Sequence, residues 1–190
     1  MSLFCEKENC EYGIILFMEI IETQKSVLSR FLFSDTRFAW VWLLLRVYMG
    51  YEWFMAGWGK LGSDVWTGSG AGTAVKGFLM GALQKTVGAH PDVSGWYAYF
   101  IEYVAVPNSA LFSYLVVYGE IVVGLALILG LFTGVSAFLG AFMNVNYLFA
   151  GTVSVNPLML VVQVFLMCAW KTAGWLGLDR YFLRKSLSQR

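Results

Sequence analysis

Charge is what this sequence has least of. Asp, Glu, Lys and Arg make up 13% of its 190 residues, 13 basic side chains against 12 acidic ones, for a net charge of +1. A soluble domain carries about 25%. The near balance leaves no basic surface for nucleic acid and no strongly acidic one for cationic partners. Histidine is almost absent: His90, in a predicted loop, is the single one. Neither a histidine-rich metal site nor a bis-histidine haem pair can be built from it within this chain. The three cysteines, Cys5, Cys10 and Cys168, contain no CxxC pair, which argues against thiol–disulfide chemistry, and they are too few for an iron–sulfur ligand set. Cys5 and Cys10 read as idle in a terminus, and Cys168 as a small buried hydrophobe in an apolar helix. The glycines of Trp66–Gly72 lack a following Lys-Ser/Thr and the third glycine of a dinucleotide loop, so no nucleotide is expected either.

What is there is apolar. Hydrophobic residues make up 58% and mean hydropathy is +0.64, the profile of an integral membrane protein. The predicted fold is all-α, a four-helix transmembrane bundle. Its spans run over residues 38–58, 110–131, 135–150 and 156–171, each near the ~20 residues that ~30 Å of hydrocarbon requires. Asn156 reads as a helix cap with Pro157 at the first position. Residues 60–107 form a long extracytoplasmic loop with helix-like segments at Ala74–Lys85 and Ser94–Val104, the second rich in aromatics that suit the headgroup layer. Residues 1–37 read as a cytoplasmic N-terminal segment, interfacial or unstructured, without the basic start and cleavage site of a secretory signal. Residues 38–174 are the membrane domain, and 175–190 a basic cytoplasmic tail. The flanks hold Lys25, Arg30, Arg37, Lys171, Arg180, Arg184, Lys185 and Arg190 against Lys60, Lys76 and Lys85 in the loop. The positive-inside bias therefore places both termini in the cytoplasm.

The first span carries Arg46 and Glu52, although a charge at mid-membrane costs at least ~2.5 kcal/mol. Arg46, Gly50, Trp53, Gly57 and Lys60 fall within ~40° of one line, and Glu52 points ~120° away from Arg46. Counted from the loop side, Arg46 lies ~16 Å deep and Glu120 of the second span ~14 Å deep, which makes them the natural ion pair. Asn144 and Gln163 lie ~10 Å deep in the third and fourth spans, while Ser136, Gly140 and Asn144 form a small-residue packing stripe. Two readings stay open. The polar groups simply tie the helices together, or they line an outward cavity. In the second reading Arg46, Glu52 and Glu120 do the chemistry, while Trp53, Lys60, Asn144 and Gln163 bind a quinone headgroup or a small oxyanion.

Four stretches, LLLRVYMGYEWFMAGWGKL, YGEIVVGLALILGLFTG, GAFMNVNYLFAGTVSVNP and AWKTAGWLGLDRYFL, resemble the DoxX/DoxD-like family of four-span membrane proteins over residues 40–183. The resemblance extends to the DoxD type, the membrane subunit of a thiosulfate:quinone oxidoreductase that forms tetrathionate together with a smaller subunit. It implies a quinone acceptor, a second protein subunit or larger membrane complex, and a prokaryotic plasma-membrane location. The expected function is a membrane subunit of a quinone-linked oxidoreductase. The alternative is a non-catalytic accessory subunit of a larger respiratory or photosynthetic complex. A solute carrier is disfavoured, since the chain has neither a broken helix nor an inverted repeat.

Overall fold

The computed structural model describes residues 35–181; the expectations for Cys5, Cys10 and most of the basic tail fall on residues 1–34 and 182–190, outside the described residues. Among the described residues all regular structure is helical. A 3₁₀ turn, Thr36–Phe38, precedes α1 (Ala39–Lys60). The long connection holds α2 (Thr73–Leu83), then α3 (Gly95–Phe100), which continues as a π turn over Ile101–Ala105. Next come α4 (Ser109–Leu129), α5 (Thr133–Phe149), α6 (Asn156–Cys168) and the short α7 (Trp170–Ala173). The predicted helices are therefore present, with ends shifted by a few residues. The last predicted span is interrupted at Ala169, where α6 gives way to α7.

Helices α1, α4, α5 and α6 pack around one core. Trp42, Met49 and Trp53 of α1 meet Val123 and Leu127 of α4, Ala137 of α5 and Leu166 of α6. The tightest seam joins α1 to α4, and glycine sets it. A Cβ on Gly50 would stand 2.8 Å from the Gly124 carbonyl oxygen and from Ile128. One on Gly57 would overlap Ile121, and one on Gly124 would overlap the Phe54 backbone. With no Cβ at these crossings the two backbones approach closely, as in membrane helix pairs that associate through small residues.

Outward positions of the four helices are large and apolar: Leu44 is 62% exposed, Val122 60%, Phe142 60% and Leu158 67%. No exposed position on these helices carries a charge. So extensive an apolar surface marks contact with lipid or with other chains. By length and composition α4 can cross a membrane, and α6 is a shorter apolar helix.

The connection between α1 and α4 folds into a cap with its own core. Val75, Leu79 and Ala82 of α2 pack with Val93, Tyr97, Ile101 and Ala105, and the group closes on Ala150 beyond the end of α5. Tyr97 Oη donates to the backbone oxygen of Asn146 at 3.0 Å and to its Oδ1 at 3.1 Å, and Lys85 Nζ donates to the Gly151 carbonyl at 2.7 Å. Burial pushes the Tyr97 phenol up to about 12, so it stays protonated and donates at neutral pH. The first turns of α4 also belong to this layer. Ser113 Oγ donates to Trp66 O at 2.6 Å and Tyr114 Oη to Thr67 O at 3.3 Å.

Two sequence expectations are corrected. Asn156 does not cap α6: its Nδ2 turns back to the Thr152 carbonyl at 2.9 Å, and Val155 holds the cap position without a side-chain bond. Cys168 is exposed rather than buried, because α6 presents its Gln163 and Leu166 face to the core.

Replacing Gly124 with Val will place branched carbons on the Phe54 backbone and is expected to destabilise the bundle by about 1–3 kcal/mol. Gly77→Ala, on the cap helix, meets nothing within 4 Å and should be neutral or stabilising by up to ~1 kcal/mol. Denaturant unfolding in detergent micelles measures both.

Candidate functional site

Glu120 stands at the centre of the most connected polar cluster. It projects from α4 into the core and is 2% exposed. Lys60 Nζ lies 2.5 Å from its Oε2, and Tyr147 Oη donates to its Oε1 at 3.0 Å. Lys60 reaches it because side chains on a helix tilt toward the N-terminus. From the last residue of α1 the lysine stem runs back along its own helix, and Nζ also donates to the Ala56 carbonyl at 3.2 Å. The cap roofs this cluster. The Trp66 ring centre is 5.2 Å from Lys60 Nζ, a cation–π distance. Phe78 of α2 meets the Tyr147 ring edge-on at 6.3 Å.

A second cluster adjoins the first through Trp53, whose ring stacks on Tyr147 at 6.5 Å. Asn144 Nδ2 of α5 donates to Gln163 Oε1 of α6 at 2.7 Å, so the two amides link the helices, as the first of the two open readings has it. Trp53 Nε1, Asn144 Oδ1 and Gln163 Nε2 are buried without a partner. Gly140 makes room for them: a Cβ there would overlap the Gln163 amide nitrogen and lie 3.0 Å from the Trp53 indole nitrogen.

Arg46 belongs to neither cluster. The expected Arg46–Glu120 pair does not form, and Arg46 does not line a pocket with Glu120, Asn144 and Trp53. Its guanidinium is 1% exposed at the far end of the bundle. There Nη2 donates to the Leu176 carbonyl at 3.2 Å, and Nη1 presses on the backbones of Gly130 and Gly177, where any Cβ would overlap it. The cause is stagger. Gly57 lies against Val117 and Ile121, and Gly50 against Gly124 and Ile128. Helix α4 therefore begins in the cap layer, above the end of α1, and depths counted from the two helix ends do not share an origin.

The charge that acts on Arg46 is Asp179. Its Oδ1 and Oδ2 accept the N–H groups of Phe132 and Thr133 at 2.6 and 2.8 Å, capping the start of α5 as a helix N-terminus favours. Leu178 and Asp179 donate backbone N–H groups to Leu129 and Gly130. Gly130 (φ +66°) closes α4 in a Schellman turn, with Leu131 N bonded to Ala126 O at 2.8 Å. Phe132 then takes φ +47°, a costly value for a side-chain-bearing residue. It does so with its N–H held by Asp179.

Glu52, the remaining predicted carboxylate, is half-buried on α1 and joins none of these clusters. Tyr147 and Asp179 were missed in the sequence. Tyr147 sits three residues beyond Asn144 on the same helical face, and Asp179 follows the last helix at the level of Arg46. No group of His, Cys, Asp and Glu among the described residues could hold a metal ion.

Asp179→Ala will leave two backbone N–H groups unbonded at the start of α5 and remove the charge facing Arg46. The expected loss is ~1–3 kcal/mol, seen first as faster proteolysis in 174–181 and then as a lower unfolding midpoint.

The sequence profile of the DoxX family matches residues 41–153, from the first turn of α1 through the turn after α5. Within that range lie Arg46, Glu52, Lys60, Glu120 and Tyr147, while Gln163 and Asp179 lie beyond it. Neither any curated protein nor any solved structure matches the chain. The match covers more than half of the sequence, and on that ground the chain belongs to the DoxX family.

Proposed function

We propose that this chain is a four-span membrane subunit of a quinone-linked oxidoreductase, of the type that resembles the DoxD subunit of a thiosulfate:quinone oxidoreductase. DoxX proteins are membrane proteins, and the uncharged outward faces of α1, α4, α5 and α6 support a bilayer setting for all four. The basic flanks support cytoplasmic termini, with the cap outside.

The observation that carries the proposal is the Lys60–Glu120–Tyr147 cluster, in which two proton donors meet one carboxylate inside the bundle. An intramembrane carboxylate bonded to a lysine and a tyrosine can take up and pass on a proton. The donor set also suits a quinone, whose carbonyl oxygens only accept hydrogen bonds. Trp53 Nε1 and Gln163 Nε2 are buried donors without an acceptor, next to Tyr147. When bound, a quinone supplies the two-electron acceptor, and its reduction consumes two protons. In this reading Trp53 and Gln163 orient the headgroup, Tyr147 gives up a proton, and the Glu120 carboxylate relays its replacement from Lys60, which is recharged from water once for each of the two protons consumed. The cap, through Trp66 and Phe78, keeps water away. The apolar groove along Tyr114, Tyr118 and Gly119 of α4 offers an isoprenoid tail a path from the lipid. Arg46, at the opposite end, takes no part in the chemistry and holds the C-terminal segment in place. Electrons come from a thiosulfate-oxidising partner subunit or directly from the sulfur substrate.

One observation favours the accessory-subunit reading. Both Glu120 oxygens are already engaged, as a purely structural bridge requires. Trp96, Tyr99 and Tyr103 on the cap are 60–65% exposed, as a partner contact would be.

Thiosulfate-dependent reduction of a soluble quinone analogue by the purified complex separates the two. Glu120→Gln and Tyr147→Phe should each lower turnover by ~10²-fold or more, in line with loss of a proton-transfer group, while the protein stays folded. Full activity in folded Glu120→Gln would assign the cluster a structural role. No thiosulfate-dependent activity in any preparation would favour the accessory subunit.

A further inference from the structure

Glu52 is the one acidic or basic side chain of α1, α4, α5 and α6 for which the described residues provide no hydrogen bond or ion pair. Arg46 bonds to Leu176, and Lys60 and Glu120 bond to each other. Glu52 lies eight residues before the end of α1, about 12 Å along the axis, and is half-buried. It sits at the rim of the core-facing stripe. Around it Tyr48, Met55, Ala56 and Gly59 are exposed, and nothing lies within 4 Å of where a Gly59 Cβ would be. Among the described residues no cation pairs with it. Arg46 points ~120° away around the helix and Lys60 ~80° away, and Lys60 is held by Glu120. Between Glu52 and the cap end of the helix, the small residues Ala56 and Gly59 leave a strip of α1 backbone open to close approach.

We propose that this face of α1 is the docking site for a transmembrane helix of a different chain, which brings a lysine or arginine to the depth of Glu52. The inference rests on the membrane-subunit reading and names the chemistry of the partner that reading requires. Charge complementarity selects the occupant. A carboxylate within hydrocarbon needs a cation or a proton. A second copy of this chain would bring another carboxylate to the contact, and like charges there oppose ionisation. It has no exposed cation on its four packed helices to offer instead. Neutral lipid supplies no cation at that depth. A helix with one basic residue, packed on Ala56 and Gly59, satisfies both the charge and the open strip.

The test uses the full-length protein in neutral-lipid vesicles, with a donor fluorophore on the cap. The probe is an acceptor-labelled leucine-rich transmembrane peptide carrying a single lysine about 12 Å below its outer end. The same peptide with leucine at that position is the control. The expected result is at least tenfold tighter association of the lysine peptide. Glu52→Gln, nearly isosteric and at a half-exposed site, should abolish the preference. Gly59→Leu, which keeps the charge and fills the open strip, should weaken association about tenfold, and both variants are checked for unchanged melting. A lysine preference that survives Glu52→Gln would overturn the proposal, as would equal binding of the two peptides. Self-association of the unmodified protein that Glu52→Gln abolishes would overturn it in favour of a second copy. The readout involves no turnover, so failure of the oxidoreductase assay and failure of this docking site are separate results.

Discussion

A carboxylate buried among helices with apolar outer faces must find a cation, and the Lys60–Glu120 bond answers that demand. An intramembrane charge left alone costs at least ~2.5 kcal/mol, and breaking a buried pair by removing one partner costs ~3–5 kcal/mol. The pair therefore constrains everything around it. Lys60 must sit at the end of α1 so that its stem can run back to Glu120. Helix α4 must start above that end so that Glu120 arrives at the right level. The glycine crossings at Gly50, Gly57 and Gly124 fix that stagger, because a closer backbone approach lets a single lysine length bridge the two helices.

The cap follows from the same constraint. The salt bridge lies near the end of α1, where water would weaken it by raising the local dielectric. Trp66 and Phe78 cover Lys60 and Tyr147, and the cap has its own apolar core to hold those rings in place. At the opposite end, Arg46 and Asp179 bind the segment after α7 to the turn between α4 and α5. The bundle is thus closed at both ends by charged groups whose partners come from distant parts of the chain. Glu120 itself is buried while Lys60 keeps partial exposure, so the carboxylate's behaviour depends closely on its immediate neighbours.

Much of the fold could be read from periodicity and composition. Four packed helices and a connection with two further helices follow from local signals: runs of apolar residues, and proline and glycine punctuation; the matching depth of Asn144 and Gln163 was compatible with the bond they form. The pairing of charges could not be read that way. Arg46 and Glu120 looked equidistant from one surface, yet the first turns of α4 belong to the cap, as Ser113 and Tyr114 show. Lys60 read as a ligand-binding cation rather than as the partner of Glu120, since its backward reach depends on where α4 places that carboxylate. Asp179 lies in a short basic tail with no periodicity, and only the return of that tail to Gly130 gives it a role. Asn156 next to Pro157 had the local signature of a cap, but the tight turn after α5 offered its side chain the Thr152 carbonyl instead.

The most direct test of this account is a double-mutant cycle on unfolding free energy in micelles, run in parallel for two pairs. Lys60→Met with Glu120→Gln should show a coupling of at least ~1 kcal/mol, because the two groups share one bond. Arg46→Met with Glu120→Gln should be additive to within ~0.5 kcal/mol, since the groups share no partner. Additivity for the lysine pair together with coupling for the arginine pair would contradict the account and restore Arg46 as the counterion of Glu120.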